Sequence, residues 1–378
     1  MNAPRFEQHR SAIATWLLVC CGFVLGMVVV GGLTRLTNSG LSMVEWKPVT
    51  GVVPPLSAEA WQRAFDQYKQ YPEFKLVHSH FDLEAFKRIY WFEFSHRLLG
   101  RLTGLVFAVP LAIFTLRRAV PGPLALRLTG LLFLGGLQGF VGWWMVKSGL
   151  ADRPDVSALR LATHLGLALL LFTALLWTAL GLLKPTAGAA PLPEHARLSR
   201  LLKGIWAWTL LTALSGAVMA GLDGGVGFNT FPLMNGYVVP PGLLLLEPAW
   251  LNLYENPALA QFNHRALAIS LVTAIVALRL FARPLPLGRE LRGALNALTA
   301  MALLQVSLGV ATLLSVVWVP LAATHQLGAL CLLGLATWAN HAAARPLALP
   351  ARAGHAEILA GGPGSEACPL SPAASARD

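Results

Sequence analysis

Eight runs of about twenty apolar residues dominate this chain, and each can cross a hydrocarbon layer about 30 Å thick. They fall at roughly 12–33, 90–116, 126–146, 158–183, 201–221, 258–282, 293–317 and 319–341. Lipid offers no partner to a backbone N–H or C=O, so runs of this length can cross only as helices. Only 12% of the 378 residues are charged, about half the share in a soluble domain. The expected fold is an all-α integral membrane protein. The first run is too long, and too poorly followed by small residues, for a removed signal peptide. Few polar residues precede it and they do not resemble an Arg-rich transit segment, which points to a bacterial inner membrane.

The charges fix an expected orientation. The chain carries 29 Lys and Arg against 18 Asp and Glu, a net +11. With the N-terminus inside, the inner segments hold 16 of the basic residues and 6 of the acids, or +10, and the outer side only +1. This is the Lys/Arg bias of cytoplasmic loops, and it places both termini in the cytoplasm. The basic residues stand singly between apolar runs, whereas nucleic-acid binding needs a basic patch; nucleic acid is excluded as a partner. Cys20, Cys21 and Cys331 lie in apolar runs and Cys368 in the tail, without a C-x-x-C pair, so cysteine chemistry is not expected.

The two halves of the sequence repeat each other. Glu93-Phe-Ser-His96-Arg97 returns as Gln261-Phe-Asn-His264-Arg265, Leu137-Gln138-x-x-x-Gly142 as Leu304-Gln305-x-x-x-Gly309, and Ala162-Thr163-His164 as Ala323-Thr324-His325. Four spans per half give repeats of the same orientation, related by an axis along the membrane normal. The expected organisation is a cytoplasmic N-terminus (1–11), a four-helix bundle (12–183) with a long outer loop (35–89), and a cytoplasmic linker (184–200). A second four-helix bundle (201–341) and a disordered cytoplasmic tail (342–378), rich in Ala, Gly, Pro and Ser, follow. Trp61, Phe65 and Tyr68 at helical spacing suggest one or two short helices lying over the outer face.

His96, His164, His264 and His325 each stand about six residues into their span, roughly 9 Å below the outer surface. Ionisable groups at that depth are costly and rarely face lipid. Two imidazoles from facing helices form a bis-His axial site for haem iron, which pairs His96 with His164 and His264 with His325. Zinc would want three or four ligands in one place. Arg97 and Arg265 read either as interface anchors or as partners of haem propionates. Gln138 and Gln305 read as interhelical hydrogen bonders or as pocket lining. Gly135, Gly139 and Gly142 read as permitting close helix packing. The halves differ at one position: Glu93 stands a turn before His96, and the neutral Gln261 a turn before His264. A carboxylate beside one site only points to proton or charge handling in the first half, unless Glu93 merely pairs with a nearby Arg.

These residues stand within longer motifs: Gly31-Gly-Leu-Thr-Arg-Leu-Thr-Asn-Ser-Gly-Leu-Ser-Met43, Trp46-Lys-Pro-Val-Thr-Gly51, Tyr71-Pro-Glu-Phe-Lys75, Gly142-Trp-Trp-Met-Val-Lys-Ser-Gly149 and Phe228-Asn-Thr-Phe-Pro-Leu-Met234. Over roughly 12–341 the chain resembles the haem A synthase family, and its cysteine-lacking branch in particular. The resemblance implies that His96 and His164 hold the substrate haem O, that His264 and His325 ligate a haem b, and that Glu93 is the catalytic carboxylate. The implied reaction oxidises the C8 methyl of haem O to a formyl through successive hydroxylations, making haem A for cytochrome oxidase near the periplasmic side of the inner membrane. Lipid, haem O synthase, cytochrome oxidase assembly factors and a second copy of the chain are the implied candidate partners. A dihaem cytochrome b passing electrons from quinol is the alternative. A haem carrier working by alternating access fits less well, because no pair of spans is broken at matching midplane positions.

Overall fold

The structure, a computed structural model, describes residues 3–47, 50–150, 154–184 and 193–345. Its long helices are α1 (Ala3–Leu36), α4 (Leu83–Leu116), α5 (Gly122–Gly149), α6 (Ala158–Leu183), α7 (Pro193–Gly221), α9 (Pro257–Phe281), α10 (Arg289–Leu314) and α11 (Val319–Ala343). Short helices α2 (Ala58–Tyr68), α3 (Pro72–Leu76) and α8 (Asn252–Glu255) lie in the connections. All eight long helices are long and apolar enough to cross a membrane, and the described residues contain no β-strand.

Two boundaries move from those expected. α4 starts at Leu83 rather than near residue 90, because the Asp82 carboxylate accepts from the Ala85 N–H at 2.8 Å and caps the helix there. The linker expected over 184–200 is already helical from Pro193. Residues 185–192 and the tail from 346 onward lie outside the described residues.

Each half packs its helices in the same ring. α1 touches α4 and α6, and α5 touches both; likewise α7 touches α9 and α11, and α10 touches both. The rings meet through α1 against α11, α6 against α7, and α6 against α11, within one compact unit ending at Pro346. Leucine gains little by leaving lipid for another helix, so close packing and interhelical hydrogen bonds must hold such an assembly. Ile13, Leu17, Leu128 and Leu175 fill the first ring, and Leu198, Leu202, Leu295 and Leu298 the second. Trp16 donates to the Val106 carbonyl at 2.8 Å, Asn340 to Leu202 at 3.0 Å, and Gln326 reaches across the halves to Val28 at 3.0 Å.

The long first connection forms a small aromatic core of its own over the end of the bundle that carries the histidines. Ser57 caps α2 through the Ala60 N–H. The face of α2 bearing Trp61, Phe65 and Tyr68 then lies on the first turns of α4. Trp61 meets Tyr90 edge-on at 4.9 Å, and Phe65 and Tyr68 both stack on Phe86. The second connection is built differently: buried Asn252 and Asn256 bind its backbone, and Asn256 caps α9.

Candidate haem-binding site

The four histidines all line one cavity of about 1010 Å³ that runs through both halves, at the upper end of the range for ligand sites. A glycine on the neighbouring helix makes room for each ring. A Cβ placed at Gly31, Gly142, Gly216 or Gly309 would lie 2.8, 2.8, 2.9 and 2.9 Å from the Cε1 of His96, His164, His264 and His325 in turn. No side chain fits at that distance, so each ring is seated edge-on against bare backbone. Gln138 donates to the His164 carbonyl at 3.0 Å, and Gln305 to the His325 carbonyl at 2.8 Å. Both glutamines therefore tie two helices together and line the cavity.

The geometry of the second pair suits a metal held between two imidazoles. The His264 and His325 ring centres stand 6.4 Å apart. Two nitrogen–metal bonds of about 2 Å plus the half-width of each ring require about 6 Å. No group of three His, Cys, Asp or Glu that could hold a metal occurs among the described residues. Orphaned polar atoms crowd the same wall. His96, His164 and His325 Nδ1, Gln138 and Gln305 Oε1, and both amide atoms of Gln261 are buried with no partner, where native interiors leave few such atoms. His264 differs, its Nδ1 lying 2.9 Å from Ser215 Oγ.

Glu93 is only 3% exposed and fully engaged. Its carboxylate accepts from Ser42 Oγ at 2.8 Å, from the Met43 N–H at 2.7 Å and from Arg97 at 2.6 Å. It reaches the cavity wall and also pairs with an arginine, so the pairing does not remove it from the site. Arg97 goes on to donate to the Met43 and Glu45 carbonyls and lies over the Trp46 ring. Arg265 plays the matching part, donating to the Phe228 and Thr230 carbonyls, with its Nε buried and unpartnered. Both arginines therefore tie a connection between spans to the helix that bears the histidine.

Residues 14–337 match the family of cytochrome oxidase assembly proteins. The chain is 46% identical to the Heme A synthase of Nitrosospira multiformis, over 88% of its own length and 93% of that protein. It is 50% identical to the Heme A synthase of Rhodospirillum centenum, covering 89% and 90%. It is also 46% identical to Heme A synthase COX15 of Bos taurus, covering 89% and 83%. The chain belongs to the haem A synthase family.

Within the stretch matched to haem A synthases the structure brings in a residue that the sequence pattern did not single out as a site residue. Glu73, on the five-residue α3, is 4% exposed and lines the cavity with Glu93 and His96. It accepts from the Tyr68 hydroxyl at 2.9 Å, and that hydroxyl lies 2.7 Å from His78 Nδ1. Burial pushes the Glu73 carboxyl up to about 8, with the nearby Glu93 and Asp155 charges adding to the shift. Burial also raises the Tyr68 hydroxyl and lowers the His78 imidazole. Glu73 stands in the sequence as one acid among several in a polar connection, and only the folding of α2 and α3 onto α4 buries it. The packing reading holds for Gly142 but not for Gly135 and Gly139, where an added Cβ meets nothing within 4 Å.

Proposed function

We propose that this chain is a haem A synthase, an oxidoreductase that converts the C8 methyl group of haem O to a formyl group. The observation that carries this reading is the pairing of two glycine-seated histidine pairs on one cavity in a chain related along most of its length to proteins named haem A synthase. His96 and His164 would hold the substrate haem O, and His264 and His325 a resident haem b. The bound haem b would supply one-electron chemistry at its iron.

The remaining work falls to the chain's own groups. Glu93 puts a fixed negative charge in the wall of the first site, where the second site has the neutral Gln261. A charge oriented in advance by three donors favours positive charge developing beside it. Arg97 and the Ser42–Met43 turn keep that carboxylate from rotating away. Arg265, with its free Nε, is the better placed of the two arginines to meet a propionate. The loop with its aromatic core roofs the first site and limits entry of water. The Lys/Arg bias supports an orientation with both termini in the cytoplasm, which would put both sites near the periplasmic face.

Expression with a source of haem O, followed by acid-acetone extraction and chromatography of the pigments, tests the reading. Haem A is expected. Recovery of only haem O and haem b from a folded, haem-loaded protein would leave the dihaem electron carrier as the better account, on the strength of the four histidines alone.

A further inference from the structure

Three ionisable side chains stand in a row through the aromatic roof. Glu73 is on the cavity wall with Glu93 and His96. The Tyr68 hydroxyl donates to Glu73 Oε2 at 2.9 Å and lies 2.7 Å from His78 Nδ1. Tyr68 is fully buried, whereas His78 keeps 6% of its surface exposed, so the row leads from the cavity to solvent. Each joint is fixed. α3 is a short turn in which the Glu73 carbonyl accepts from the His78 N–H at 3.1 Å, and this returns His78 to the side of Tyr68. Tyr68 stacks on Phe86 at 5.2 Å and meets Phe74 edge-on at 5.7 Å, and His78 stacks on Phe81 at 4.1 Å.

Stacked rings alone have no need of this row. Phenylalanine at position 68 would make the same ring contacts, and apolar replacements of buried ionic groups are often neutral or stabilising. The second half does without it: the buried polar side chains of its α7–α9 connection are the amides Asn252 and Asn256, which hold backbone and exchange no proton. In the first half every member of the row can both give and take a proton. Burial raises the Tyr68 hydroxyl and lowers the His78 imidazole, so both rest uncharged and pass a proton on rather than keep it. Three donors hold the Glu93 carboxylate, while Glu73, raised to about 8 by burial, changes its proton near neutral pH. The charges that bear on Glu73 are those of Glu93 on α4 and Asp155 in the α5–α6 connection, and His80 bears on His78.

Oxidising a methyl group to a formyl takes hydrogen off carbon, so protons must cross the wall of a site that the roof shields from water. We propose that Glu73, Tyr68 and His78 form a proton relay between the first site and the solvent outside the roof, with Glu73 as its inner end. The proposal rests on the function proposed above. In one inward transfer Glu73 takes the Tyr68 hydroxyl proton, Tyr68 takes the His78 Nδ1 proton, and His78 Nε2 takes one from solvent. Each O–H or N–H bond that breaks is matched by one that forms, and the net change is one proton moved from solvent to Glu73. The same steps in reverse carry a proton out. The two ring nitrogens let one imidazole accept on one side and donate on the other.

The test uses the full haem-loaded chain in nanodiscs at about pH 9, roughly one unit above the Glu73 carboxyl, where that group starts ionised. Flash reduction of the bound iron adds negative charge beside Glu73 and draws a proton onto it, and a pH-indicator dye in the solvent follows the uptake. Glu73→Gln should lose the uptake. His78→Gln keeps a hydrogen-bonding partner for Tyr68 but no group that passes a proton, and should take up as much as wild type about tenfold or more slowly. Its haem A formation should slow with haem O affinity within about twofold of wild type, a split that loosening of the roof would not give. Uptake that survives Glu73→Gln, or proceeds at the wild-type rate in His78→Gln, overturns the proposal. Wild type supplies a check that needs no variant: uptake should slow about twofold or more in D2O, and an unchanged rate overturns the relay. The uptake requires haem at His96 and His164 but no turnover, so a protein that takes up the proton and makes no haem A counts against the proposed function and not against the relay.

Discussion

The first and second halves of the molecule share everything that would hold an iron and differ in what would surround it. Each half sets two histidines against two glycines and anchors one of them through a glutamine on the next helix. Each also uses the arginine after its first histidine to tie down a loop. Around that common frame the first half has Glu93, open glycines and an aromatic roof. The second has Gln261, valines and a connection held by buried asparagines. Keeping the parts that would hold an iron while changing the surroundings is what the proposed division into a reacting site and a retaining site requires. The direction of the difference matters too: charge and space are both on the Glu93 side.

The comparison breaks most directly if the two sites fail to separate when their histidines are removed. His264→Ala should abolish the haem that co-purifies with the protein, while His96→Ala should leave at least most of it. Pyridine haemochrome spectra of the two purified variants check this, and equal loss from both would make the halves one site. Next in size is the single charge. Glu93→Gln copies the second half into the first and leaves Arg97 a partner without charge. Haem A formation should fall by two orders of magnitude or more, with the retained haem unchanged in amount and spectrum. A variant with full activity would show that the asymmetry at this position has no chemical meaning.

Much of this frame is legible in the sequence, because lipid restricts what a chain can do. Eight apolar runs must be eight helices, and histidines repeated at equal depth must have a shared purpose. The glycines opposite the rings are harder to read. Gly31 and Gly216 are ordinary members of apolar runs until helix neighbours are known, since a cradle is a relation between two helices and not a property of one. Gly142 reads from the sequence as a packing glycine, and only the fold shows that it seats one imidazole. Gly104 and Gly139 are legible only as a difference between halves, glycine where the matching positions hold Val272 and Val306. Glu73 was hidden for another reason: its burial depends on α2 and α3 folding back onto α4, a tertiary event that no local period announces.

The cradles themselves supply the next test. Gly309→Ala puts a methyl 2.9 Å from His325 Cε1, and overpacking of this kind costs about 1–3 kcal/mol. Retained haem should bind about tenfold more weakly, read as faster transfer to apomyoglobin. Gly142→Ala, whose Cβ would crowd His164 at 2.8 Å, should instead slow capture of haem O and leave the retained haem in place. If both substitutions act on the same haem, the assignment of one cradle pair to each site is wrong.

The smallest effect is on stability and belongs to Glu73, and its sign is fixed by burial. Its carboxyl is raised to about 8 in the folded protein, against about 4.3 in an unfolded chain. The folded state therefore holds a proton that the unfolded state has given up between those values. The resulting stability is fully present below about pH 4 and is lost as pH rises through 8. From pH 5 to 8 the apparent melting temperature of wild type should fall by a few degrees per pH unit at most. Glu73→Gln, which keeps an acceptor for the Tyr68 hydroxyl without the ionisation, should flatten that slope. Tyr68→Phe should remove the hydroxyl that donates to Glu73, raise the carboxyl further and carry the slope to higher pH. The second half has no buried acid in its α7–α9 connection to match Glu73 among the described residues, so a melting curve followed through the retained haem should show less of the slope than one followed through the fluorescence of Trp61 in the roof. A slope of equal size by both probes would mean that the two halves unfold as one unit and that the roof is not an independent structure over the first site.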